Sequence, residues 1–116
     1  MPSDEIIYSF KFSDESQEEL AEIIDYYNHH PNPDNGKRFL VKVETVVELL
    51  QLWPEAGAEL EGIPGVRGFS IPKYPYRLYY TVLDTELAII GISIYGTRRD
   101  PANLAQTLRD RVSHLT

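Results

Sequence analysis

The sequence has no cysteine, which removes disulfides, thiolate nucleophiles and cysteine-held metals together. Histidine is scarce: His29 and His30 sit beside prolines and His114 near the C-terminal end, so the three form no ligand cluster and no metal is expected. No apolar run approaches the ~20 residues needed to cross a bilayer. The start, Met1-Pro2-Ser3-Asp4-Glu5, is acidic where a secretion signal is basic. The expectation is a cytoplasmic protein with no membrane contact. A length of 116 residues suits one domain over residues 1–116 with one modest core, and leaves no room for a separate cofactor-binding unit. No cofactor is expected.

Positive charge is also in short supply: 11 Lys and Arg face 18 Asp and Glu, a net of −7. A general nucleic-acid binder needs a positive field toward phosphates, so direct DNA binding by this chain alone is not expected. The deficit is uneven. Residues 1–64 carry 14 acidic side chains against 4 basic ones, whereas residues 65–116 carry 4 against 7, a net of +3. The second half is therefore the better place to look for a site, and most of the acids read as solvated outer faces of helices.

What is present is clear local patterning. Ile6, Tyr8, Phe10 and Phe12 alternate with Ser9 and Lys11 at the two-residue period of a strand. Ser16-Gln17-Glu18-Glu19 reads as a capping box, followed by Leu20, Ile23, Ile24 and Tyr27 at helical spacing. His29-His30-Pro31-Asn32-Pro33 is a turn, because proline lacks an amide hydrogen and restricts the residue before it. Asn32 is the expected N-cap of a second helix with Pro33 in its first turn. That helix carries Phe39, Val43, Val46, Leu50 and Trp53 along a core stripe until Pro54 stops it. The two helices form an antiparallel hairpin, and residues 55–65, with Gly57, Gly62, Pro64 and Gly65, read as a loop.

Three strands follow as an antiparallel meander, at residues 66–71, 76–83 and 87–95. Alternation groups Tyr76, Leu78, Tyr80 and Val82, and likewise Ala88, Ile90, Ile92 and Ile94, on the face expected to cover the helices. The other face gathers Arg77, Tyr79, Thr81, Ser93 and Tyr95 and is expected to be polar, cationic and uncovered. Leu104, Leu108 and Val112 suit a short amphipathic C-terminal helix. The fold class is thus α+β: an N-terminal strand, a helical hairpin and a meander in a four-stranded, largely antiparallel sheet, then a short last helix.

Four short elements occur in a characteristic order: Leu52-Trp53-Pro54-Glu55-Ala56-Gly57; Gly65-Val66-Arg67-Gly68-Phe69; Tyr76-Arg77-Leu78-Tyr79-Tyr80; and Ile94-Tyr95-Gly96-Thr97-Arg98-Arg99-Asp100-Pro101. With the order of elements, they resemble the RelE/ParE toxin superfamily over residues 6 to 110. The resemblance implies a growth-inhibiting, plasmid-stabilising toxin of a type II toxin–antitoxin system, held in a complex by a cognate antitoxin. RelE-like members cut messenger RNA on the ribosome, and ParE-like members are associated with inhibition of DNA gyrase.

The resemblance also places residues. The middle-strand arginine of nuclease members matches Arg77, and the arginine after the last strand matches Arg98, with Arg99 as the alternative register. Their two lysines of the first meander strand fall on Gly68 and Ser70, their terminal-helix tyrosine on Leu104, and the histidine of other members on Tyr95. Cleavage through the 2′-hydroxyl needs a proton acceptor as well as cationic donors. Glycine and serine supply none, and a tyrosine with a pKa of about 10 is protonated at neutral pH.

The ParE-like reading is therefore preferred and an enzyme is not expected. The alternatives are an mRNA endonuclease using Arg77, Arg98 and Tyr95, and a non-toxic antitoxin-binding module. Arg67, Arg77, Tyr79, Tyr95, Arg98 and Arg99 are the candidate contacts for antitoxin or target. For Arg77 a stack on Tyr79 or a pair with a helix carboxylate remains an equal reading, and for Arg98 or Arg99 a pair with Asp100.

Overall fold

The computed structural model describes residues 6–30 and 34–115. Its elements are β1 (Ser9–Phe12), α1 (Asp14–Asn28), α2 (Asn35–Leu52), β2 (Ala58–Glu59), β3 (Arg67–Ser70), β4 (Tyr76–Leu83), β5 (Ala88–Gly96) and α3 (Pro101–Ser113). The sheet order is β1-β5-β4-β3-β2, with β1 parallel to β5 and the other pairings antiparallel. The expected α+β order is present, but the sheet has five strands rather than four. The additional strand, β2, lies in the segment read as loop, pairing Ala58 with Gly68 and Glu59 with Arg67. Two residues are too few to show a period.

Element ends moved for local reasons. Ile6 is 55% exposed and outside β1, which begins where the Ser9 N–H donates to Leu87 O. α1 starts ahead of the expected capping box. Ser13 is its N-cap, accepting from the Ser16 N–H at 3.2 Å, and Asp14 and Glu15 place negative charge at the helix N-terminus. Ser16 is instead fully buried, with Oγ 2.9 Å from Gly91 O, tying α1 to the sheet. For α2 the cap position is Asp34, not Asn32; Asn32 and Pro33 lie outside the described residues. Trp53 leaves the stripe as well, 63% exposed, because the chain departs helical geometry there and turns through a 3₁₀ segment, Pro54–Ala56.

The hairpin packs on one sheet face. Phe39, Val43, Val46 and Leu50 of α2 meet Leu78, Tyr80, Ile89 and Ile94, each such side chain contributing about 1.5–3 kcal/mol when fully buried. At the open end of the core, Phe39 lies edge-on to Tyr74 and Tyr76, with ring centres 4.9 and 5.6 Å away. The helices approach closely at Gly36, where a Cβ would lie 2.6 Å from Ile24 O and collide with Asn28. Beyond the Asp34 cap, the charges at the ends of α2 run against its dipole. Its first turn has no acid but contains Lys37, with Arg38 next, and its last turn has no base. Each misplaced charge of this kind costs about 0.3–1 kcal/mol when exposed.

β5 does not keep one alternation. Tyr79 pairs with Ser93 but Tyr80 with Gly91, so Ile92 is an extra residue in a β-bulge. The side chains beyond it change sides: Ile89 and Ile94 face the hairpin, while Ile90 and Ile92 face away. The expected grouping of Ile90, Ile92 and Ile94 on one face is thereby corrected. Among the described residues, no helix is long and apolar enough to cross a membrane.

Candidate functional site

The second sheet face follows from β4 and β5 pairing Arg77 with Tyr95 and Tyr79 with Ser93. It is not uncovered. Ile90 and Ile92, turned to this side by the bulge, give it an apolar surface that the Leu104, Leu108 and Val112 stripe of α3 covers. Tyr79 and Tyr95 are each 5% exposed, and Thr81 and Ser93 are buried. Ile63 and Val66 complete this second core. The amphipathic C-terminal segment forms the expected helix, and its apolar stripe packs on the sheet face expected to be open.

Asp100 starts α3 as N-cap, accepting from the Ala102 N–H at 2.9 Å, with Pro101 in the first turn. The Tyr95 hydroxyl donates to Asp100 O at 3.1 Å. At its other end α3 is held by Arg111, whose Nη1 donates to Ile92 O at 2.8 Å and to Glu19 Oε1 at 2.9 Å. The same Glu19 oxygen accepts from the Ile94 N–H and the Ser93 hydroxyl, both at 3.1 Å. One carboxylate of α1 thus closes the edge of β5 beyond the end of β1 and clasps α3. Glu19 is therefore not part of a capping box, and Arg111 has a structural role that its sequence context does not signal. No spacing rule connects positions so far apart in the chain.

The six candidate contacts do not form one cluster. Arg67 lies across β3 from the others, donating to Gly57 O at 2.7 Å and Glu55 O at 3.3 Å, with Glu59 3.7 Å away. Arg77 is half-buried. Its guanidinium carbon lies 5.6 Å from the Tyr79 ring centre, Nη2 donates to Gly68 O at 3.2 Å, and its buried Nε has no hydrogen-bond partner among the described residues. Of the two internal roles expected for Arg77, the ring contact is present, and among the described residues it has no carboxylate pair. Arg99 is exposed and stacks over Tyr95 at 4.5 Å. Arg98 is exposed, and Asp100 serves as helix cap rather than as an ion-pair partner for either arginine.

Burial raises the Tyr79 phenol above its ordinary value of 10, with Arg77 pulling partly back, and burial also raises Tyr80. Tyr80 is a structural post between β4 and the end of α2, donating to Pro54 O at 2.7 Å and accepting from the Gly57 N–H at 2.9 Å. Gly68 is crowded: a Cβ would lie 2.9 Å from the Tyr79 ring and 3.1 Å from Arg77 Nη2, so a side chain there would have to displace them. Ser70 is exposed opposite Arg77, and Leu104 belongs to the second core. His29 and His30 are exposed at the end of the hairpin, and among the described residues no group of three or more His, Asp or Glu could hold a metal.

Residues 10–101 match the family model described as the ParE toxin of the type II toxin–antitoxin system parDE. The chain belongs to the ParE toxin family. No individually curated protein is significantly similar to it in sequence. Its fold is similar to a chain of the chromosomal ParDE system from P. aeruginosa, with TM-score 0.67 and 22% identity over 79% of this chain and 98% of that one. It is also similar to a mutant of E. coli toxin RelE in the free state, with TM-score 0.66 and 18% identity over 96% and 100% of the two chains. A third similar fold occurs in the toxin–antitoxin complex RelBE2 from Mycobacterium tuberculosis, with TM-score 0.58 and 18% identity over 78% and 92%. At these identities the likeness is one of fold, whereas the family match makes the chain a type II toxin of the ParE family.

Proposed function

We propose that residues 1–116 act as one cytoplasmic ParE-type toxin, neutralised by a cognate antitoxin and acting on DNA gyrase by protein–protein contact rather than by cutting ribosome-bound messenger RNA. The observation that carries this reading is Gly68. Where a nuclease needs a long basic side chain, the Tyr79 ring and the Arg77 guanidinium occupy the space that even a Cβ requires. The neighbouring groups are similarly committed. The Tyr79 phenol is held in its protonated form, Tyr95 is buried and bonded to Asp100 O, and Leu104 packs in the second core. RNA cleavage without a proton acceptor forgoes general-base catalysis, typically 10²–10⁴-fold. The antitoxin partner is supported by the toxin–antitoxin systems in which similar folds occur. Arg98 and Arg99, exposed where β5 gives way to α3, are the candidate contacts best placed to meet another protein.

Induced expression separates the readings. Gyrase-linked DNA breaks with intact transcripts, together with inhibition of gyrase supercoiling by the purified chain, are expected. Codon-positioned transcript ends with unaffected gyrase would replace this reading with a nuclease. Growth that continues while the chain still binds antitoxin would identify a non-toxic module.

A further inference from the structure

A concentrated positive surface lies in the acidic half of the chain. Three of the four Lys and Arg in residues 1–64, namely Lys37, Arg38 and Lys42, fall within six positions of α2, and the β3–β4 turn brings Lys73 beside them. They line a broad cleft of about 770 Å³ with an apolar floor of Val41 and Tyr74. Val41 is 52% exposed, so its side chain is accessible from the cleft. Among the described residues, Asp34 is the one carboxylate lining the cleft. None of the four cations makes an ion pair among the described residues.

Two of these placements oppose folding. Lys37 and Arg38 stand at the positive end of the α2 dipole, and Lys73 adopts a left-handed backbone with φ of 71°, where glycine or asparagine is less costly. Four cations gathered about one carboxylate also repel one another. In another cleft the balance is reversed: Arg99 and Arg111 share it with Glu15, Glu18, Glu19 and Glu22. The cleft of α2 is a described surface where cations gather without such an excess of carboxylates.

We infer that this cleft is a docking site for an acidic peptide segment of the cognate antitoxin, with carboxylates meeting Lys37, Arg38, Lys42 and Lys73 and an apolar side chain seated on Val41 and Tyr74. The inference rests on the antitoxin reading above and assigns it a surface. A peptide fits better than nucleic acid for two reasons. The net charge of −7 repels a long polyanion. Tyr74 is packed edge-on against Tyr27 and Phe39, so it is a floor within the aromatic cluster rather than a free platform on which bases stack.

The test uses the full chain and the antitoxin encoded by the adjacent open reading frame, comparing wild type with a Lys37→Glu, Lys42→Glu, Lys73→Glu triple variant at 50 and 300 mM salt. The variant is expected to associate on the order of 10- to 100-fold more slowly at low salt and to lose most of its salt dependence. Its Tm should not fall, because Lys37→Glu places a favourable charge in the first turn of α2. Binding and stability thus move independently, which a merely structural role would not produce. Lys11→Glu, an exposed lysine on β1, is the charge-matched control for Lys42→Glu and should bind as wild type. Wild-type-like binding of the triple variant overturns the inference and leaves the antitoxin reading intact. Failure of the wild-type chain to bind that antitoxin overturns both. Salt-sensitive binding of a 20-base-pair DNA duplex that requires the same lysines and displaces the antitoxin would make the cleft a nucleic-acid contact and overturn the inference.

Discussion

Replacing Glu19 with alanine removes a single carboxylate oxygen that accepts from the Ile94 N–H, the Ser93 hydroxyl and Arg111 Nη1 at 3.1, 3.1 and 2.9 Å. The Glu19 and Arg111 side chains are 19% and 18% exposed, so the pair lies between the surface and fully buried limits. Arg111 keeps its bond to Ile92 O, but the Ile94 N–H and the fully buried Ser93 hydroxyl lose their acceptor. A buried polar group left unpaired costs about 1–3 kcal/mol. With partial access of water to the β5 edge, Glu19→Ala should destabilise the chain by about 3 kcal/mol. At this chain length that is a fall in Tm of roughly 10–15 °C. Glu19→Gln retains an acceptor oxygen and loses the charge, so about 1 kcal/mol is expected.

Urea unfolding of Glu19→Ala, Arg111→Ala and the double variant completes a cycle, with an expected coupling of about 1–2 kcal/mol. Hydrogen exchange should show α3 opening locally in Glu19→Ala, because the lost contacts join it to β5 and α1. A cost below ~0.5 kcal/mol for Glu19→Ala, or strict additivity with Arg111→Ala, would mean that water replaces the carboxylate and that the clasp is unimportant.

Four further outcomes are expected. Tyr80→Phe leaves the Gly57 N–H and Pro54 O without their shared hydroxyl and should cost about 1–3 kcal/mol in urea titration. Gly68→Lys forces the Tyr79 ring and Arg77 aside, so stability should fall by about 1–3 kcal/mol and no transcript cleavage should appear on expression. Trp53→Ala, despite removing the largest side chain at the end of α2, should change stability by no more than about 0.5 kcal/mol by calorimetry because the ring is exposed. The folded chain holds the Tyr79 and Tyr80 phenolic protons above pH 10, so the unfolded state releases them first. Their stabilising contribution is full below about pH 9 and is lost as pH climbs past 10 toward their folded values. Tm between pH 8 and 11, compared between the wild-type chain and its Tyr79→Phe variant, measures the Tyr79 part of it.

The strands and helices were legible wherever a period ran long enough. Leu20, Ile23, Ile24 and Tyr27 mark α1, and Leu78, Tyr80 and Val82 mark the buried face of β4. What escaped were features set by single residues. Ser13 and Ser16 are equally good caps by composition, and the choice follows from Ser16 having Gly91 O to reach. The bulge at Ile92 adds one residue to a run of isoleucines, where either face is apolar and alternation carries no contrast. That one residue also decides the site, because it turns Ile90 and Ile92 under α3 and converts an expected open cationic face into a second core. Gly68 was legible as the absence of a lysine, but the crowding around it needed Tyr79 and Arg77 in place.

Charge was the other property misjudged along the chain. Residues 65–116 are basic by count, yet folding sets Arg99 and Arg111 among the carboxylates of α1, and Arg67 beside Glu59. Folding thus balances much of that excess within the molecule. Lys37, Arg38 and Lys42 belong to the acidic stretch by count, yet they share their cleft with Lys73 and one carboxylate. The field a partner meets depends on which charges lack a counter-charge within about a Debye length of ~8–10 Å, not on the balance of a segment. Association with an acidic partner should therefore draw its salt dependence chiefly from the α2 cleft. Substitutions at Arg67 or Arg111 should instead act first on stability, since those side chains are already bonded to Gly57 O, Ile92 O and Glu19.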